Sequence, residues 1–272
     1  MTTTAAIFES LLLVHISGDT NCSWSNADVF GNISLKNEFF IMNDSTKQII
    51  RHLHGIRTMQ EIAEKAGLMP TVRAVQTWQC KRLLASHQHM YQQKRFRPAV
   101  EFFINELYGP NDFSQRDQDI ARVVPKMSTF LPQKALQSLA SALHLNTLSF
   151  ELDFDLAKQL VDTQINRDTY AKAYVSCDNL TNRQQQIDYI RTLGNDLADV
   201  VKMRGISSLL FISRKPAKIA GVLALHEFLE KGFKSFKDLG NVEDFITPVV
   251  NKEYAIMQQL VEPGSPNPLP DL

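Results

Sequence analysis

The chain has 272 residues, 44% hydrophobic and 21% charged, with 29 basic against 29 acidic side chains. That length holds one large domain or two modest ones with a real core, and the balanced charge excludes a global field drawing the protein to nucleic acid or anionic membrane. Cys22, Cys80 and Cys177, irregularly spaced, argue against a disulfide framework or a structural zinc site and favour a reducing compartment.

Residues 7–16 form the apolar run IFESLLLVHI, which lacks a basic start and is interrupted by Glu9 and His15. It reads as a strand or short helix, not a secretory signal. No apolar run approaches the roughly 20 residues that span a bilayer, so no membrane partner is expected and the location expected is the bacterial cytoplasm. Residues 1–43 carry Gly18, Gly31 and little helical periodicity. Their short apolar segments at 32–35 and 38–42 predict a small antiparallel sheet of two or three strands. Asp44 or Ser45 then caps a helix with Ile49, Ile50 and Leu53 inward, ending at Gly55. Thr58 and Glu61 cap a second short helix that Gly67 stops.

From residue 71 to 108 the chain can run helical almost without a break, bending around 92–98, with Pro98 in the first turn of a new helix. Val100, Phe103, Ile104 and Leu107 make that helix's apolar face, and Gly109-Pro110 ends it. Ser114 and Asp117 cap the next helix, which Pro125 bends or stops. Helices follow at 132–143 and 149–162, split at 144–146, then at 166–176 with Tyr170 and Tyr174 inward, and at 181–202. A short helix at 206–214 precedes Pro216. Helices at 217–239 and 242–260 close the bundle, with Ala220, Gly221 and Ala224 allowing close approach. The proline-rich end, 262–272, is expected to be disordered.

Two family resemblances sit on these residues. The segment 37–67 resembles the PqqD-like, precursor-peptide-recognition fold through Ile41, Met42, Asn43, Ser45, Ile49, Leu53, Gly55, Thr58, Glu61 and Ile62. That resemblance implies a module that binds a peptide by adding it as a strand to a sheet edge. FFINELYGPNDFSQRDQDIARVVPKM resembles the signature FFxxxLYGPxDFxxRD of an all-helical proteobacterial family. Trp78 with Arg82, Arg95 to Arg97, Arg122 to Pro125, and Ala220-Gly221 through Phe236 supply its other blocks. This second resemblance covers about residues 72–261, implies an all-helical fold, and brings no activity with it.

The fold class expected is therefore mainly α: a small α+β module, PqqD-like or winged-helix-like, at 1–70, a helical bundle at 71–261, and the tail at 262–272. Between Glu64 and Glu101 there is no acidic residue. A helix-turn-helix-like segment at 44–85 would present Arg73, Lys81 and Arg82 to DNA phosphates, although a charge block more often marks a solvated face.

Arg97 and Glu101 lie four apart, Tyr108 follows seven later, and Arg116, Asp117, Asp119 and Arg122 come on the next helix. Two antiparallel helices would gather them into an ion network, either fixing the hairpin or holding an anionic ligand through the arginines. His87 and His89 are two apart and make poor joint ligands, and His226 with Glu230 lacks further metal donors. No Walker A loop, dinucleotide fingerprint or nucleophile elbow is present, so no catalytic residue, metal or cofactor is expected. The leading expectation is a non-enzymatic binding or regulatory protein, its first module engaging a peptide or protein partner and its bundle serving as scaffold or ligand sensor. A DNA-binding regulator, and an enzyme or small-molecule binder using the Arg97 to Arg122 network, are the alternatives.

Overall fold

Apolar residues recur at helical spacing along the chain, and helices are what form. The computed structural model describes residues 44–128 and 131–272, and among these there are α-helices, one π-helical turn and no strand. The helices are α1 Asp44–Lys65, α2 Met69–Ser86, α3 Gln88–Tyr91, α4 Arg97–Phe102, α5 Ser114–Met127, α6 Gln133–Gln159, α7 Arg167–Ser176, α8 Leu180–Lys202, α9 Ile206–Ile219, α10 Leu223–Lys237 and α11 Glu243–Val261. The π turn, Phe103–Leu107, continues α4.

The long α6 is the axis. Its 27 residues extend about 40 Å at 1.5 Å each. α1, α2 and α7 pack on it, α8 lies along it, and α11 and α10 lie in turn against α8. Leu136, Leu143, Leu145 and Leu156 of α6 are buried in the main core with Trp78, Phe96, Phe236 and Phe245. A second apolar cluster, Ile56, Ala63, Val72, Phe150 and Ala157, ties α1 and α2 to α6. Asn166 opens α7 with a capping box: its side chain accepts from the Asp168 and Thr169 N–H groups, and the Thr169 hydroxyl accepts from Asn166 N–H.

Several sequence expectations are corrected. The expected strands at 32–35 and 38–42 fall outside the described residues, so the α+β character of the first module is not seen. The described part of that module is one helix, α1, running through Gly55 where two helices were expected. A glycine inside a helix costs about 1 kcal/mol; here it also permits close approach, since a Cβ at Gly55 would lie 3.5 Å from the Thr147 methyl of α6. α6 likewise runs unbroken through 144–146, where His144 stacks on His52 of α1 and meets the tilted ring of Tyr189 of α8. α9 continues past Pro216 and the chain breaks at Gly221, whose φ is +68°. The tail is held, not loose. Leu269 is 2% exposed, and Arg167 donates to the Asn267 carbonyl while Asn267 donates back to that of Arg167.

Candidate functional site: a buried polar core beside a cavity

The residues picked from sequence do not assemble. Arg97 is exposed, its guanidinium over the Tyr91 ring and donating to the Tyr91 carbonyl, while Glu101 accepts from the Tyr91 hydroxyl. Arg116 is buried between the Phe113 and Phe228 rings and pairs with its neighbour Asp117 and with the Glu106 carbonyl. Arg122 reaches Asp119 and the Gly221 carbonyl at the surface. These are local clamps between neighbouring elements. The DNA-facing trio is also separated: Arg73 and Lys81 are exposed, but Arg82 is 7% exposed and committed to an interior ion pair. Arg82 therefore cannot project with the other two from one free helix face. His226 donates from Nε2 to the Leu210 carbonyl and Glu230 pairs with Arg214. Among the described residues no three His, Cys, Asp or Glu side chains converge as metal ligands.

Tyr108 leads to a second set of buried polar groups. At the end of the π turn the backbone switches to extended, φ −136° and ψ 151°, with the Tyr108 N–H still bonded to the Phe103 carbonyl. π turns reset side-chain phase and recur at functional sites. Here the Tyr108 hydroxyl donates to the Asp153 carboxyl, 3.0 and 3.1 Å from its two oxygens. The adjoining Gly109 has φ +126°, and a Cβ there would sit 2.8 Å from the Ile104 carbonyl, so only glycine fits the exit.

Around Asp153 the interior is unusually polar. Burial pushes the Asp153 carboxyl up to about 7, against the charge of Arg183 and the bonds from Tyr108 and Gln76. Burial, with Asp153 adjacent, likewise raises the Tyr108 hydroxyl. Burial takes the Cys80 thiol up to about 11, which keeps it protonated and unreactive. Arg183, 3% exposed, donates to the Leu152 carbonyl and lies 4.8 Å over the Tyr174 ring. Gln79 bridges the parts: its amide donates to the Tyr170 hydroxyl and its carbonyl accepts from Arg82.

The other carboxylate behaves oppositely. Burial pushes Glu253 up, but the Arg82 charge at 2.5 Å and the His87 bond at 2.8 Å overcome it and hold the carboxyl down at about 2. Arg82 lies on α2, His87 directly after its last residue, and Glu253 on α11, so α11 must dock beside the end of α2 to complete the trio.

Arg82, His87 and Glu253 line a half-open cavity of about 160 Å³. Gln79, Arg82, His87, Tyr108, Asn146 and Glu253 face it, and Val100, Phe103, Leu107, Ile190 and Phe245 provide apolar wall. Tyr108, Asn146 and Ser149 also line a polar crevice of about 210 Å³ beside it. Two buried polar atoms at the cavity, His87 Nδ1 and Asn146 Nδ2, have no hydrogen-bond partner among the described residues. Sequence reasoning missed Asp153, Arg183, Glu253 and the role of His87. The available signal was a charge set into an apolar stripe: Asp153 between Phe150 and Leu156, Glu253 between Val249 and Met257, Arg183 four before Ile187.

Among the described residues, fold and site define a helical bundle with buried charged side chains lining a cavity. Residues 58–268 match the family described as domain of unknown function DUF8198, and the chain belongs to that family. No curated protein matches the chain, and no solved structure does. No helix among the described residues is long and apolar enough to cross a membrane.

Proposed function

We propose that the bundle is a non-enzymatic, sensor-type binding domain that takes one small amphipathic molecule into the cavity beside Arg82, His87 and Glu253. The carrying observation is the form of that cavity: apolar walls with a few convergent polar groups are the usual build of a small-molecule site. Its volume, about 160 Å³, is close to the roughly 150 Å³ that accommodates a benzene ring in an engineered protein cavity. The occupant is then of single-ring size. Buried charges also cost several kcal/mol each in desolvation, an expense that scaffold duty alone does not call for.

The test is thermal unfolding with ring-sized amphipathic probes, for the wild type and for Val249→Phe, which fills the cavity from its α11 wall. A ligand that binds only the native state at 100 times its Kd adds about 2.7 kcal/mol of stability. Probes should raise the wild-type Tm and leave the variant unmoved. Equal responses of the two proteins, or none in the wild type, would reject the reading. Native mass spectrometry of protein from its own host then identifies the physiological molecule.

A further inference from the structure

We infer that the cavity's ligand carries an uncharged hydroxyl on a single ring, a phenol-class molecule, with that hydroxyl at His87 Nδ1. This rests on the small-molecule reading above and narrows it by the chemistry of the polar groups there. His87 Nε2 lies 2.8 Å from Glu253 Oε1, and Glu253 is also held by Arg82 at 2.5 Å. A carboxylate paired with a guanidinium only accepts, so the hydrogen between His87 and Glu253 belongs to Nε2. In that tautomer Nδ1 is a bare acceptor, buried and without a donor among the described residues.

Asn146 Nδ2, from α6 on the same cavity, is the converse, a buried donor without an acceptor. The cavity wall thus holds one unpaired acceptor and one unpaired donor for whatever enters. A hydroxyl offers both. A carboxylate offers acceptors only and adds negative charge beside Glu253. An ammonium offers donors only and adds positive charge beside Arg82. A purely apolar ring offers neither, leaving both atoms unsatisfied, and an unmade buried hydrogen bond is the expensive kind. The ring itself meets Val100, Phe103, Leu107, Ile190 and Phe245 on the apolar walls.

The experiment is isothermal titration of the full chain at pH 8 with phenol, toluene and benzoate as probes. Phenol should bind at least about 10-fold tighter than toluene, the scale set by one buried hydrogen bond left unmade, and benzoate should not bind. His87→Phe removes the acceptor while keeping a flat ring and the Arg82–Glu253 pair, so it should erase the preference of phenol over toluene. Asn146→Leu, on another helix, should narrow that preference and serves if His87→Phe does not fold. Equal binding of phenol and toluene to the wild type, or binding of benzoate as tight as phenol, overturns the hydroxyl assignment and leaves the cavity reading standing. Binding of no probe removes the cavity reading as well.

Discussion

Two cavities of similar size lie on either side of a shared wall, and they are built of different chemistry. The first, about 160 Å³, is lined by Arg82, His87 and Glu253. The second, about 130 Å³, lies between α4, α6, α8, α9 and α10, where Phe102, Leu139, Leu197, Ile206, Phe228 and Gly232 line it. Leu107 and Ala142 belong to both. The second is what imperfect packing of a bundle leaves behind: apolar, with Ser138 as the one hydrogen-bonding side chain among the described residues that line it. The first gathers groups whose burial opposes folding. A bundle selected for stability alone has no need to bring charged residues from α2 and α11 together in its interior. The contrast supports binding at the first cavity, and it is open to direct attack.

The largest effect should come from breaking the ion pair. Glu253→Gln leaves Arg82, whose side chain is 9% exposed, as an unpaired buried cation. Removing one partner of such a pair costs about 3–5 kcal/mol, read as a lower denaturant midpoint at unchanged m-value. The double variant Arg82→Met with Glu253→Leu should recover most of that loss, because two apolar groups replace two charges. A double variant no better than the single one would show that the pair itself is worth far more than its desolvation cost.

Next in size is a pH signature carried by Asp153. Its carboxyl is raised from 3.8 to about 7 in the folded chain, so between those values the native state holds a proton that the unfolded state has released. Stability attributable to Asp153 is therefore full below about pH 4, falls as pH rises, and is gone above about pH 7. At about 1.36 kcal/mol per pKa unit the loss is on the order of 4 kcal/mol. Glu253, lowered from 4.5 to about 2, contributes the opposite way: its stabilisation is present above pH 4.5 and lost as pH falls toward 2. Asp153→Asn should flatten the decline between pH 4 and 7 while leaving the acid limb, and urea titrations at several pH values distinguish the limbs. A variant with the wild-type slope across pH 4 to 7 would remove Asp153 from this role.

A smaller effect is expected on the wall of the second cavity. A Cβ at Gly232 would lie 2.8 Å from Phe102 Cζ, so Gly232→Ala forces the ring aside. Overpacking costs about 1–3 kcal/mol, and the low end is expected because the same ring borders the cavity and has space to move into it. Thermal unfolding should show the loss, and phenol titration should be unchanged, since Gly232 does not border the charged cavity.

What the sequence shows of this molecule divides along the same line. The helices are visible in it, because apolar spacing reports which face is buried, and the turns at Gly67 and Gly109-Pro110 carry local backbone constraints. The joins it suggests at Gly55 and at 144–146 fail, because packing of α1 on α6 overrides local helix-breaking signals. The site is mostly invisible to local reading. Arg97 to Arg122 look like a cluster because they are close in sequence, yet Arg97 and Glu101 turn to Tyr91, Arg116 to Asp117, Arg122 to Asp119 and Gly221, and Tyr108 to Asp153. Arg82 and Glu253 are 171 residues apart, and their proximity follows only from the docking of α11 beside α2. Asp153 and Arg183 do leave a trace, as charges within apolar stripes, but that trace names no partner.

The smallest expected effect is the sharpest test of the second cavity's ordinariness. Ser138 Oγ on α6 is buried at that cavity without a hydrogen-bond partner among the described residues. Leaving a buried hydroxyl unsatisfied costs about 1–3 kcal/mol. Ser138→Ala removes that cost, and alanine is also the better helix former, by a few tenths of a kcal/mol at the least. Against this, deleting one atom enlarges the cavity, which at about 24 cal/mol per Å³ returns only a fraction of the gain. The variant should be more stable by about 1 kcal/mol and bind phenol as the wild type does. A loss of stability would mean that the hydroxyl does have a partner, and that the second cavity, like the first, is organised around a polar group.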